Sequence, residues 1–87
     1  MNRDQAYQIL ATELRSLTQQ GYDALLPKVG KTTQRLLNIG QEPLTVEVLV
    51  RWDDVRKRTI RVDAVALGPS CWKLDRLEES IVVRPPQ

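Results

Sequence analysis

The sequence predicts an α+β domain: one N-terminal helix packed on a three- to four-stranded antiparallel meander sheet. Three observations carry this. Apolar residues recur at spacings of three and four along the first part of the chain. Two adjacent stretches near the middle alternate apolar and polar side chains with period two. A mostly polar five-residue stretch, Asp53 to Lys57, leads from one stretch toward the other, as an exposed hairpin loop does. The 87 residues fit one domain spanning 1–87, and a chain this short buries only about 60% of its unfolded surface.

The helix comes first. Tyr7, Leu10, Leu14 and Leu17 form the apolar stripe, Ala6 and Ile9 widen it, and Arg3, Gln5, Gln8, Thr12, Arg15 and Gln19 are left mainly for solvent. Asn2 followed three residues later by Gln5 has the pattern of a capping box, and Gly21 suits a left-handed helix end. Such a helix is about 25 Å long, enough to cover a small sheet. Tyr22 to Leu26 then fits one short helical turn stopped by Pro27, with Leu26 extended because it precedes a proline.

Thr32 to Ile39 alternates loosely and reads as a strand, although "TTQRLL" also suits a helix start. "GQEP", Gly40 to Pro43, is turn chemistry. Leu44 to Trp52 is the strongest strand, with Val46, Val48, Val50 and Trp52 on one face and Thr45, Glu47, Leu49 and Arg51 on the other. After the Asp53–Lys57 loop the chain returns as Thr59 to Leu67. Ile60, Val62, Ala64 and Ala66 share one face of this strand; Arg61, Asp63, Val65 and Leu67 share the other. Gly68 to Ser70 makes a turn. The remainder reads as a strand around Cys71 to Leu74, an irregular acidic stretch, and an edge strand at Ser80 to Arg84. Pro85 and Pro86 stop further pairing there. Trp72, Leu74, Leu77 and Ile81 also have helical spacing, but the β-branched run before the double proline favours a strand.

Packing follows from the faces. Leu10, Leu14 and Leu17 cover Val48, Val50, Trp52, Ile60 and Val62, and the small Ala64 and Ala66 admit the helix closely. This arrangement resembles the cystatin-like architecture, a helix embraced by an antiparallel sheet. The resemblance is one of architecture and implies no activity.

Composition narrows the chemistry. With no histidine and one cysteine, Cys71, the chain lacks the parts for a Ser-His-Asp or Cys-His site, the common zinc sets or an internal disulfide. No catalytic residue, metal or cofactor is expected. The start has no apolar core of the kind a secretory signal needs, and no apolar run approaches the roughly 20 residues of a membrane span. A cytoplasmic protein without membrane attachment is the expectation.

Four features merit weighing as sites. "GKT" at Gly30 to Thr32 ends like a phosphate-binding loop, but Leu25 stands where that loop requires glycine and Pro27 lies inside it; a plain connecting loop is the simpler account. Arg56, Lys57 and Arg58, with Arg51 and Arg61 nearby, form a basic hairpin tip able to meet nucleic-acid phosphates while Trp52 stacks on a base. Asp53 and Asp54 offset that charge, the chain's net charge is only +2, and Trp52 is in phase with the core valines. Glu47 and Asp63 share the second face of the hairpin. They suit either an acidic pair or ion pairs with Arg51 and Arg61. Finally, Leu49, Val65 and Leu67 are apolar among Arg51, Arg61 and other polar residues on that second face. This is the composition of a protein interface unless Leu36, Leu37 or Leu77 folds back over it.

The sequence therefore points to a non-enzymatic protein-interaction or dimerisation module. Its interface would comprise Leu49, Val65, Leu67, Arg51 and Arg61, with a homodimer or another protein as partner. The alternative is a small nucleic-acid-binding protein using Arg56, Lys57 and Arg58.

Overall fold

The computed structural model describes residues 3–39, 42–68 and 76–86, leaving aside the side chains of Ile39 and Glu42. Helix α1 spans Arg3–Gln19 and a single turn, α2, spans Tyr22–Leu25. Four strands follow: β1 (Thr32–Ile39), β2 (Glu42–Asp54), β3 (Thr59–Leu67) and β4 (Arg76–Val83). They pair antiparallel in chain order β1-β2-β3-β4, with α1 on one face of the open sheet. The expected meander is present with all four strands. The 13-residue β2 accounts for the long axis: at about 3.3 Å per residue it runs close to the molecule's 44 Å length.

The core forms where the apolar stripe of α1 meets the inner sheet face. Leu10, Leu25, Leu44, Val46, Ile60 and Val62 are fully buried, and Leu14, Val48 and Val50 nearly so. α1 lies closest to β3 and β4. The reason is steric: Ala64 and Ala66, with no exposed surface left, present the low part of the sheet on which a helix seats closely. Tyr7, counted in the apolar stripe from its spacing, is half exposed, and its hydroxyl instead bonds Glu79 on β4.

Several local expectations are corrected. Leu26 is helical (φ −52°, ψ −50°), not extended, and a 3-10 turn runs Leu26–Lys28 through Pro27. Proline is tolerated because it sits in the first turn, where its missing N–H has no partner to lose. Gly21 has the expected positive φ of 91°, but its ψ of 168° is not that of a left-handed helix. The residue is also the N-cap of α2, so it must reverse direction straight into a second helix.

β2 begins at Glu42 and not after Pro43. Val50 N–H donates to Lys31 C=O, which sets the alternation of the β1–β2 ladder. That alternation turns the Pro43 nitrogen toward the β3 side, where pairing starts only at Thr45 and no hydrogen bond is lost. At its other end β2 continues through Asp53 and Asp54, which the sequence assigned to the loop. A bulge between Trp52 and Asp54 absorbs Asp53, and the turn is confined to residues 55–58.

β4 starts at Arg76, so the stretch expected to be irregular is paired, Glu78 opposite Val65 and Glu79 opposite Ala64. Its alternation had been obscured by acidic side chains on both faces. The strand ends at Val83, one residue short of expectation, with Pro85 and Pro86 beyond it. The strand expected at Cys71 to Leu74, the Asn2 cap and most of the Gly68–Ser70 turn lie outside the described residues.

Candidate interaction surface

The face of the sheet opposite α1 is built by register. Directly opposed residues in antiparallel strands share a face. Leu36 and Thr45, Glu47 and Val65, Leu49 and Asp63, and Arg51 and Arg61 therefore lie together, joined on β4 by Arg76, Glu78, Ser80 and Val82. No described element packs on this face. Leu37 and Leu77, candidates to cover it, pack against the core on the helix side. Leu36 does lie on the open side, but at the β1 edge, 71% exposed, where it covers nothing.

Arg51 opposite Arg61 is a like-charge pair, an arrangement that costs stability unless an anion intervenes. Asp63 supplies it. Arg51 Nε donates to Asp63 Oδ2 and Arg61 Nε to Oδ1, each at 2.8 Å, and the carboxylate is buried beneath the two guanidinium groups. Arg61 also donates to Ser80 Oγ at 3.2 Å. Hydrogen bonding to Asp63 holds the Arg61 guanidinium above its usual range. Of the pairings expected from sequence, Asp63 with Arg61 is present. Glu47 does not take Arg51; it accepts from Gln34 Nε2 at 2.7 Å, because β1 brings Gln34 directly opposite. The acidic pair does not form either, since Asp63 and Glu47 stand in different rows and each already has a cross-strand donor.

The apolar residues of this face differ in how far they reach solvent. Leu49, Val65 and Leu67 are half-buried between their charged neighbours, whereas Leu36 and Val82 stand out at the two edges. The exposed apolar surface is thus displaced from the hairpin, where the sequence put it, to the two edges, and stands out furthest at Leu36 on β1. Leu36 was missed as a site residue. Its position on a face depends on the register of a strand whose existence the sequence left open.

The backbone of the basic tip is bound up in its own turn. Asp54 Oδ1 accepts the amides of Arg56 and Lys57 at 2.9 and 3.3 Å. Arg58 adopts a left-handed φ of 57° and its carbonyl accepts the Tyr22 hydroxyl. Its guanidinium lies over the Trp52 ring, 5.8 Å from the centroid, so the face proposed to stack on a base is already occupied. At "GKT" the amides serve the fold as well: Gly30 N–H donates to Val50 C=O and Lys31 N–H to Lys28 C=O, and Gly30 has the positive φ of a turn glycine.

On the helix side, the off-centre seat of α1 leaves an open groove of about 510 Å³ against β1, between Gln8, Ile9 and Glu13 and the strand residues Arg35, Leu37 and Asn38. Arg35 and Glu13 form an ion pair across it. Among the described residues, no group of three or more acidic or cysteine side chains is suited to hold a metal. No described helix is long and apolar enough to cross a membrane. Cys71 and Trp72 lie outside the described residues.

No protein-family model, curated protein or solved structure matches the chain. The cystatin-like likeness therefore rests on the arrangement of helix and sheet alone.

Proposed function

We propose that this chain is a non-enzymatic interaction module that associates with a second copy of itself through its sheet. The observation that carries the reading is Leu36 standing in solvent at the β1 edge of a sheet whose outer face no described element covers, with Leu49, Val65 and Leu67 set among paired charges. The arginines and acids of this face are nearly equal in number, a balance that suits a protein surface better than a polyanion, which demands a basic excess. Each of Glu47 and Asp63 is committed to a neighbouring donor, which leaves neither as an obvious acid or base.

The test is mass against concentration, by light scattering or sedimentation. A concentration-dependent dimer is expected, and a chain that stays monomeric at high concentration refutes the reading. Leu49→Arg and Val65→Arg report whether the middle of the face takes part. Retention on random DNA or RNA that survives only at low salt, and disappears when Arg56, Lys57 and Arg58 become alanine, would move the assignment to the hairpin tip.

A further inference from the structure

The two edges of the sheet are not alike. β4 carries Arg76, Glu78 and Glu79 and is followed by Pro85 and Pro86, features that discourage another strand from pairing there. β1 has no proline over Thr32–Ile39 and one charged side chain, Arg35, which is already paired with Glu13. The β1–β2 ladder also fixes what this edge offers. With Lys31 C=O bonded to Val50 N–H, the backbone groups of Thr33, Arg35 and Leu37 turn toward β2. Those of Thr32, Gln34, Leu36 and Asn38 turn outward. Leu36 thus presents an outward N–H and C=O together with a side chain 71% exposed, near the middle of the strand.

Resting on the self-association reading, we infer that the joining surface is the β1 edge: two copies pair their β1 strands antiparallel about a two-fold axis through Leu36. Charge and overlap together select this register. Charge excludes Arg35 as the centre, and Leu36, beside the middle of Thr32–Ile39, keeps more of the strand paired than Gln34 or Leu37 would. Centring on Arg35 would set the two arginines directly opposite each other, whereas centring on Leu36 opposes leucine to leucine, Arg35 to Leu37 and Gln34 to Asn38. About six new backbone hydrogen bonds form, two at Leu36 and two at each Gln34–Asn38 pair. The axis is normal to the sheet, so both helices stay on one side and the two outer faces merge into one eight-stranded surface. Pairing through a single strand edge covers less than the about 800 Å² per partner of a standard stable interface, so the dimer is reversible with dilution and not obligate.

A charge-swap pair of variants, Leu36→Lys and Leu36→Glu, tests the axis by sedimentation velocity over a range of concentrations. Each variant alone is expected to dissociate at least tenfold more readily than the parent chain, because like charges meet on the axis. An equimolar mixture should restore the dimer. Circular dichroism melts check that both variants fold, which the exposure of Leu36 favours. A parent chain monomeric at all concentrations overturns both this inference and the self-association reading. A dimer untouched by either Leu36 variant but broken by Leu49→Arg leaves the reading standing and overturns the edge. Variants that dissociate singly and remain apart when mixed overturn the register at Leu36.

Discussion

Replacing Asp63 by asparagine removes the charge at the centre of the Arg51–Asp63–Arg61 cluster while keeping its shape. The carboxylate receives two N–H groups at 2.8 Å. A well-shielded hydrogen bond to a charged group contributes about 1.5–3 kcal/mol. Here the arginine side chains remain 52% and 39% exposed, so water recovers much of what each loses. Asparagine still accepts one N–H, but its own NH₂ then faces the second guanidinium, donor against donor. The expected loss is about 1–2 kcal/mol. In a domain of this size 1 kcal/mol moves the midpoint by roughly 4–8 °C, so Asp63→Asn should melt roughly 5–15 °C lower. Urea and thermal unfolding followed by tryptophan fluorescence measure this, and a cycle with Arg61→Gln isolates the pairwise part. Added salt should narrow the difference. A change under about 0.5 kcal/mol would refute the reasoning: solvent alone would then be relieving the repulsion between Arg51 and Arg61.

Two other outcomes follow from the helix–sheet contact. Hydrogen bonding to Glu79, then its negative charge, raises the Tyr7 phenol above its ordinary value. The bond therefore supports the fold fully below the unfolded phenol's pKa and is lost as pH rises through the folded one. Titrating Tyr7 by ring-carbon NMR should give a value above that of a free tyrosine, falling back in Glu79→Gln; no fall would dissociate the two groups. Ala64→Leu should cost about 1–3 kcal/mol in urea unfolding by lifting α1 from β3, because Ala64 has no exposed surface left.

The parts of the fold legible in the sequence are those with one strong period and one buried side. α1 and the β2–β3 hairpin meet that condition, and β3 occupies the residues that alternation assigned, Thr59–Leu67. β4 was harder because it is an edge strand with Glu78 outward and Glu79 toward the helix side, which blurs the contrast between its faces. Pro43 read as turn because only the ladder's phase reveals that its nitrogen faces an unpaired side. The same limit governs the candidate surface. Arg51, Arg61 and Asp63 could be grouped on one face from period two alone. Which cation Asp63 would take, and that it would take both, depends on register. Leu36 was out of reach, since nothing local distinguishes an edge leucine from a core one.

The seat of α1 over β3 and β4 has a mechanical consequence. Ile60, Val62, Ala64 and Ala66 pin β3 from above, with no surface left open. β1 has only Leu37 half sheltered among its described side chains, so hydrogen bonds to β2 and the Arg35–Glu13 link are what tether it. The domain is consequently graded from a stiff flank to a pliant one. In the monomer, amides of Thr33, Arg35 and Leu37 are expected to exchange with deuterium through a small local opening, while those of β3 should wait for the whole chain to come apart.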